Sequence, residues 1–377
     1  MAKLGDIATY INGYAFKPQD WSDEGIPIIR IQDLTGNSYQ TNRYNGEYAS
    51  KYEVNDGDVL ISWSASLGVY IWHGEKAVLN QHIFKVVFDK ERISKDFFVH
   101  QVGLILENAA SDAHGATMKH LTKPVFDALP FYLPPYEKQC EIAEVLDKVT
   151  SLISLRKQQL AKLDELVKAR FVEMFGDFEV NPKEFPVYHL CELCDVGSSK
   201  RIYQEEQSIS GIPFLKVADL NELIDTGKYL CSTFIPLERY EQLLHKELIP
   251  RENDILITSR GTLGKCYIVQ SDDEFYFQDG MISWLSNLSP KVSSIYISYL
   301  FAQPYIQKQI ESLQAGSTVA YLSIAMLKKM NVILPPKKLQ DDFATFVEHV
   351  DQQKQTVQQS LEKLELMKKA LMQEYFG

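Results

Sequence analysis

The sequence predicts an α+β chain: two homologous, mixed, β-rich domains joined by two long helices that form an antiparallel coiled coil, with a pseudo-two-fold internal repeat. Three observations predict it. Residues 115–176 and 316–377 align at a constant offset of 201 without a gap, and 18 of the 62 positions are identical. Apolar residues then recur every seventh position in both copies. Finally, short alternating segments near the start of each half match one another, so the duplication covers the whole chain.

The matched stretch shares Leu133-Pro134-Pro135 with Leu334-Pro335-Pro336, Gln139 with Gln340, and Phe175-Gly176 with Phe376-Gly377. After the prolines the first copy places Leu146, Ile153, Leu160, Val167 and Met174 at heptad spacing, interleaved with Ile142, Val149 and Leu163. The second places Phe343, Val350, Val357, Leu364 and Leu371, with Val347 and Leu361. Sustained a/d heptads mark a coiled-coil helix. Each such helix is roughly 58 Å long at about 1.5 Å per residue. Rods of that length are explained if they pair with each other as a spacer. Arg156, Arg170, Lys354 and Lys368 interrupt the seam; they are either register-setting residues or partly exposed positions, with exposure near the helix ends the favoured reading. The double prolines stop a strand and start a helix, where a missing N–H costs least. Gln139 and Gln340, one turn in, fit either a partner contact or a local cap. The Phe-Gly ends fit either a docking patch or closure of the coiled coil.

In the first half, Gly25-Ile26-Pro27-Ile28-Ile29-Arg30-Ile31-Gln32-Asp33-Leu34 alternates like a half-buried strand running into a polar loop. Gly211-Ile212-Pro213-Phe214-Leu215-Lys216-Val217-Ala218-Asp219-Leu220 repeats it. Asp33 and Asp219 suit turns or caps. Asp58-Val59-Leu60-Ile61-Ser62 and Asp254-Ile255-Leu256-Ile257-Thr258 are apolar strands leading into polar loops. Asn80-Gln81-His82 and Gln278-Asp279 follow at matched sites. Helical patterns at about 95–110 and 293–314 end at Gly115 and Gly316. The predicted boundaries are therefore domain one at 1–133, long helix one at 134–176, a linker at 177–186 holding Asn181-Pro182, domain two at 187–334, and long helix two at 335–377.

With 45% hydrophobic and 24% charged residues, the composition is that of a folded soluble protein. The N-terminal stretch has no apolar h-region and no apolar run reaches membrane-spanning length, which predicts neither export nor membrane insertion. The five scattered cysteines suit a reducing cytoplasm. Cys191-x-x-Cys194 lacks a second Cys/His pair at finger spacing, so no metal is expected. A net charge of −11 argues against binding nucleic acid by bulk attraction. If DNA is the ligand, cations must be concentrated on one face, or partner subunits must supply much of the phosphate contact.

Catalytic signatures are missing from the sequence. Leu133-Pro134-Pro135-Tyr136 resembles an adenine-methyltransferase motif, but leucine cannot accept from the target amino group where that chemistry needs an amide. No phosphate loop is present, and no carboxylate cluster or Ser/His/Asp order has a convincing context. A duplicated module with matched scaffold and divergent loops instead suits two half-sites read across a fixed spacer.

The order module, LPPxxxQ helix, module, LPPxxxQ helix, together with the G-I-P-x-x-[RK]-x-x-D-L and D-[VI]-L-I-[ST] segments, closely resembles the specificity (S) subunits of type I restriction–modification systems. The resemblance implies that the modules are target recognition domains, each binding one half of a bipartite double-stranded DNA site. It implies that the paired helices set the spacer and dock two modification (methyltransferase) subunits, with restriction (translocase/nuclease) subunits joining that core. The chain itself is then a non-catalytic prokaryotic cytoplasmic protein without a cofactor, S-adenosylmethionine and ATP belonging to partner subunits. A coiled-coil protein-interaction scaffold without DNA specificity is the alternative.

Side chains on loops after the matched strands are the candidate DNA contacts. In module one these are Arg30, Gln32, Ser62, Ser64, Gln81, His82, Lys119 and His120. In module two they are Lys200, Arg201, Lys216, Arg260, Thr262, Lys265, Gln278 and Thr318. Arg and Lys bind phosphates or guanine edges, and Gln pairs bidentately with adenine. The first module has Ala65 and Val69 where the second has Gly261 and Lys265, so the loops diverge.

Overall fold

The computed structural model describes residues 1–37, 40–64, 66–112, 122–314 and 320–377. It falls into two compact units, one of residues 1–159 with 357–377, the other of residues 160–356. Each unit holds one β-rich part and one half of each long helix.

In unit one, Ala2–Lys3 pairs antiparallel with Pro130–Phe131. An antiparallel sheet orders Thr9–Asn12, Ile83–Val87, Val59–Ser62 and Gly68–Ile71. A second sheet orders Arg43–Tyr44, Ile26–Ile29, Ala77–Leu79 and Glu53–Val54. There Ile26–Ile29 and Ala77–Leu79 run parallel, with Ile28 opposite Val78. Val59–Ser62 is buried at every position. It is covered on both faces, which explains a continuous apolar run in place of alternation. The helix Lys95–Asp112 packs Phe97, Phe98, Val102 and Leu106 into a core shared with Leu4, Phe126, Phe131, Ile142 and Leu146.

Unit two repeats this plan. Val187–His189 pairs with Asn331–Ile333. One sheet orders Asp195–Gly197, Ile282–Ser286, Ile255–Thr258 and Cys266–Ile268. Another orders Phe234–Ile235, Ile212–Leu215 and Tyr276–Phe277, with Phe214 opposite Tyr276 in a parallel pair. The connections are where the copies part. Unit two carries the helices Val217–Thr226 and Leu237–His245, where unit one, among the described residues, has the single turn Ile31–Leu34 and the 3-10 turn Ser50–Tyr52.

The Gly-Ile-Pro segments hold their glycines for a physical reason. Gly25 and Gly211 sit at φ +99° and +125°, and a Cβ there would run into the carbonyl oxygens of Tyr44 and Ile235. The strand reading of these segments stops short, since a helical turn begins immediately after Arg30 and Lys216. Asp33 and Asp219 reach back one turn and accept from the backbone N–H of Arg30 and Lys216, each at 2.8 Å. They are caps.

The pattern at 293–314 is two helices, Ser294–Phe301 and Pro304–Gln314, rather than one. Pro304 has no N–H to continue a helix and starts the second, where that loss is free. Gly115 and Gly316 lie outside the described residues.

The long helices span Tyr136–Phe175 and Lys337–Phe376. Their first turns are fixed by the two glutamines. Gln139 is buried, donates to Pro134 O (2.8 Å) and accepts from Ser94 N–H (3.0 Å). Gln340 is buried, donates to Pro335 O (2.7 Å) and Lys291 O (3.1 Å), and accepts from Ser293 N–H (2.9 Å). Ser94 and Ser293 immediately precede or cap the helix beside each rod. Of the two readings of these glutamines, the structure selects the local one.

The seam cations are partly exposed, though not only near the helix ends. In unit one Arg156 Nε donates to Ser360 Oγ at 3.2 Å, and Lys157 meets Glu365 at 3.0 Å. In unit two Lys354 meets Asp164 at 2.6 Å, and Arg170 lies over the Phe346 ring at 5.7 Å. Arg156, Arg170, Lys354 and Lys368 are all half-buried. Long stems of this kind cover apolar surface, and the polar ends of Arg156, Arg170 and Lys354 find partners.

The Phe-Gly ends are core closures. Phe175 is buried with Phe171, Phe178, Tyr296 and Phe343 in unit two, and Phe376 packs edge-on to Phe97 in unit one. Residues 177–186 are packed too: Phe178 is buried, Lys183 donates to Met174 O at 2.6 Å, and Glu179 pairs with Lys308.

Candidate nucleic-acid interface

In each unit the parallel strand pair sends both chains out at one end, and the neighbouring sheet delivers two further loops there. In unit one Asn80 N–H donates to Ile29 O (3.1 Å), Tyr14 N–H to Leu79 O (2.7 Å), and Trp63 N–H to His82 O (3.4 Å). In unit two Gln278 N–H donates to Leu215 O and Ser259 N–H to Met281 O, both at 2.9 Å. Ser199 Oγ donates to Phe277 O at 2.7 Å. The loops at 30–32, 62–64 and 80–82 thus gather at one end, as do those at 198–201, 216, 259–262 and 278–279.

Unit one presents fewer open side chains than its sequence promises. The Arg30 guanidinium donates to Gln40 O (2.6 Å) and lies 3.4 Å from Asp33. With its amide oxygen turned toward Arg30, Gln32 accepts from the same group at 2.6 Å. Ser62 and Ser64 are buried. The Ser62 hydroxyl faces the carbonyls of Ser64 (3.3 Å) and Ser66 (2.5 Å), bracing the loop from inside. Gln81 is half-buried. His82 is exposed, and its ring lies 5.5 Å from that of Trp63, whose Nε1 donates to Asn12 Oδ1 at 3.2 Å. Lys119 and His120 lie outside the described residues.

Unit two is the more cationic end. Lys200, Arg201, Lys216 and Thr262 are exposed. Burial pushes the Tyr276 phenol up to about 12, so it remains a hydroxyl that accepts from Lys200 N–H at 2.8 Å. Arg201 pairs with Asp279 at 2.8 Å, and Lys265 with Asp225 at 2.6 Å. Arg260 sits over the Tyr321 ring at 5.0 Å. Gln278 is half-buried, and Thr318 lies outside the described residues.

Sequence reasoning missed Tyr321, Asp279, Asp225 and Trp63. Tyr321 had a signal, since it stands 201 positions from His120, the offset of the repeat. Asp279 adjoins Gln278 in a matched segment. Asp225 had none: it lies on the later turns of a helix whose counterpart in the first copy is the single turn Ile31–Leu34. Cys194 is buried against Leu190 O, its thiol raised to about 12 by burial, by Asp195 and by Cys191. Among the described residues no group of three or more His, Cys, Asp or Glu is placed to hold a metal ion.

A duplicated scaffold that collects divergent polar loops at equivalent strand ends defines a class of two-module recognition protein. The type I restriction modification DNA specificity domain matches residues 1–165 and again 182–366, and the chain belongs to that family. It is 25% identical over 381 residues to the type I restriction enzyme EcoBI specificity subunit of Escherichia coli, covering 92% of this chain and 78% of that one. It is 25% identical over 397 residues to the MjaVIII specificity subunit of Methanocaldococcus jannaschii, covering 99% and 90%. In fold it is similar to the crystal structure of a type I restriction–modification S subunit from M. genitalium, with a TM-score of 0.59 at 14% identity over 100% of this chain and 95% of that one. No helix among the described residues is long and apolar enough to cross a membrane.

Proposed function

We propose that this chain is the DNA-sequence-recognition subunit of a type I restriction–modification complex. Residues 1–133 and 187–334 act as target recognition domains, each reading one half of a bipartite double-stranded DNA site. Residues 134–176 and 335–377 pair as an antiparallel coiled coil that sets the spacer and docks two modification subunits, with 177–186 as linker. Restriction subunits join that assembly. The chain contributes recognition; methyl transfer from S-adenosylmethionine and ATP-driven steps belong to the partners, in a prokaryotic cytoplasm.

One observation carries this reading: the same set of loops leaves the same strand ends in both units, while their side chains differ. A pseudo-two-fold body of that kind matches the local symmetry of duplex DNA while allowing two different half-site sequences. The helix contacts support the pairing, since 156 and 157 face 360 and 365 while 164 and 170 face 354 and 346. Contact residues are drawn from Gln81, His82, Lys200, Arg201, Lys216, Arg260, Thr262, Lys265 and Gln278, together with Lys119, His120 and Thr318. Arg30 and Gln32 engage only by releasing each other, and Ser62 and Ser64 brace. With a net charge of −11, either the cations concentrated on one face or the partner subunits supply much of the phosphate contact.

The test is methylation mapping. The chain is co-expressed with its cognate modification subunit and modified adenines are located by sequencing; a single bipartite motif is expected. Removing one heptad from each long helix shortens the pair by about 10 Å, or about three base pairs. The preferred spacer should shrink accordingly, or methylation should cease. A stable complex that methylates nothing overturns the recognition reading, and an unchanged spacer overturns the ruler.

A further inference from the structure

One guanidinium stands apart from the carboxylate-paired cations of module two. Arg201 and Lys265 are held by Asp279 and Asp225. Arg260 meets no carboxylate or hydrogen-bond acceptor among the described residues, and its Nε is shut off from solvent without a partner. Instead the group lies over the Tyr321 ring, 5.0 Å from its centroid.

Both residues are fixed by their backbones. Arg260 and Tyr321 form an antiparallel bridge, and Leu322 N–H donates to Ser259 O at 3.0 Å. Gln314 clamps Tyr321 from behind, accepting from its N–H (2.9 Å) and donating to its carbonyl (2.7 Å). On the other flank the Ser259 and Ser283 hydroxyls are bonded at 2.7 Å. Thr258 Oγ1 donates to Thr262 O (2.5 Å) and accepts from Lys265 N–H (3.0 Å). The loop is thus braced on both sides while Gly261, at φ +71°, makes the turn. The matching position in module one is Ser64, which is buried and carries no charge.

A rigid fork of donors on a fixed ring suits a flat, two-acceptor edge. In duplex DNA that edge is the O6/N7 pair of guanine in the major groove. The ring contact holds the group in place before DNA arrives, so less side-chain freedom is lost on binding. We propose that Arg260 reads a guanine in the half-site of module two, with Tyr321 as its positioning residue. This inference rests on the DNA-recognition reading above.

The test uses the complex with the cognate modification subunit. The wild-type motif is mapped first, and each dG within it is then replaced by 7-deaza-dG in a synthetic duplex. Competition binding is measured for wild type, R260A, R260K, Y321A and Y321F, with assembly checked by gel filtration. One dG, in the half specified by residues 187–334, should cost the wild-type complex about tenfold or more in affinity when replaced. R260A and R260K should be indifferent to that replacement; Y321A should lose part of the sensitivity and Y321F should keep it. Sensitivity to every dG retained in R260A, with binding weakened alike on all sequences, would make Arg260 a phosphate contact and overturn the proposal. Full discrimination by R260K overturns it as well. A wild-type complex without a bipartite motif fails earlier, and there the recognition reading itself falls.

Discussion

Replacing Gln340 by alanine tests how the second long helix is anchored. The side chain is fully buried and makes three hydrogen bonds, from Ser293 N–H and to Pro335 O and Lys291 O. A net value of about 1 kcal/mol per bond gives about 3 kcal/mol for Q340A. Gln139 makes two such bonds, to Pro134 O and from Ser94 N–H, so Q139A should cost about 2 kcal/mol. Exposed Lys338, two residues before Gln340, serves as control, with an effect within about 0.5 kcal/mol. Native-state hydrogen exchange reads the loss where it occurs, at the amides of 293–301 and 337–345. About 3 kcal/mol corresponds to roughly a hundredfold loss of protection. Protection in Q340A no lower than in K338A, or a larger loss in Q139A than in Q340A at its own junction, refutes the anchoring argument.

Further substitutions probe the scaffold. G25A and G211A place a Cβ against the Tyr44 and Ile235 carbonyls at positive φ, and each should cost about 2 kcal/mol or more. G36A, at φ +73° with open space around it, should cost only about 1 kcal/mol; urea midpoints compare them. Asp254 Oδ2 accepts from Arg251 N–H and Trp284 Nε1, both at 2.9 Å, yet burial outweighs these bonds and raises its carboxyl above 3.8. Its ionisation therefore opposes folding, a penalty absent below the unfolded value and complete above the folded one. Urea midpoints of wild type and D254N, followed from about pH 3.5 to 7, should move in the wild type's disfavour as pH rises. A constant difference refutes it.

What the sequence made legible follows the physics of repetition. Heptads place apolar residues on a face, and the matched Leu-Pro-Pro-x-x-x-Gln starts fall where two helices of 40 residues begin. Asp33 and Asp219 look like caps because a carboxylate three residues after the first residue beyond a strand has that residue's free N–H within reach. Periodicity does not say what a polar side chain meets. Lys265 is paired with Asp225, 40 residues away on the part of a helix that extends beyond the single turn of the first copy. Arg30 faces Gln40 and Gln32 because its loop folds back on itself. Ser62, the last residue of a strand covered on both sides, is buried by the sheet next to it, and no local pattern distinguishes it from an exposed loop serine.

The discontinuity of unit one carries a consequence for synthesis. Unit two is a single stretch, 160–356, whereas unit one needs residues 357–377 to return to residues 1–159. Leu371, Met372, Tyr375 and Phe376 cover the core that Leu4, Phe97, Ile142 and Leu146 begin. During translation the first-made globular part therefore waits, with apolar surface uncovered, until some two hundred later residues have been added. At roughly 5–20 residues per second that interval lasts tens of seconds at the slow end. The part made second can finish folding first. A ribosome that stops before residue 357 leaves a completed second half beside an open first one, so the exposed Phe97 surface marks an unfinished chain.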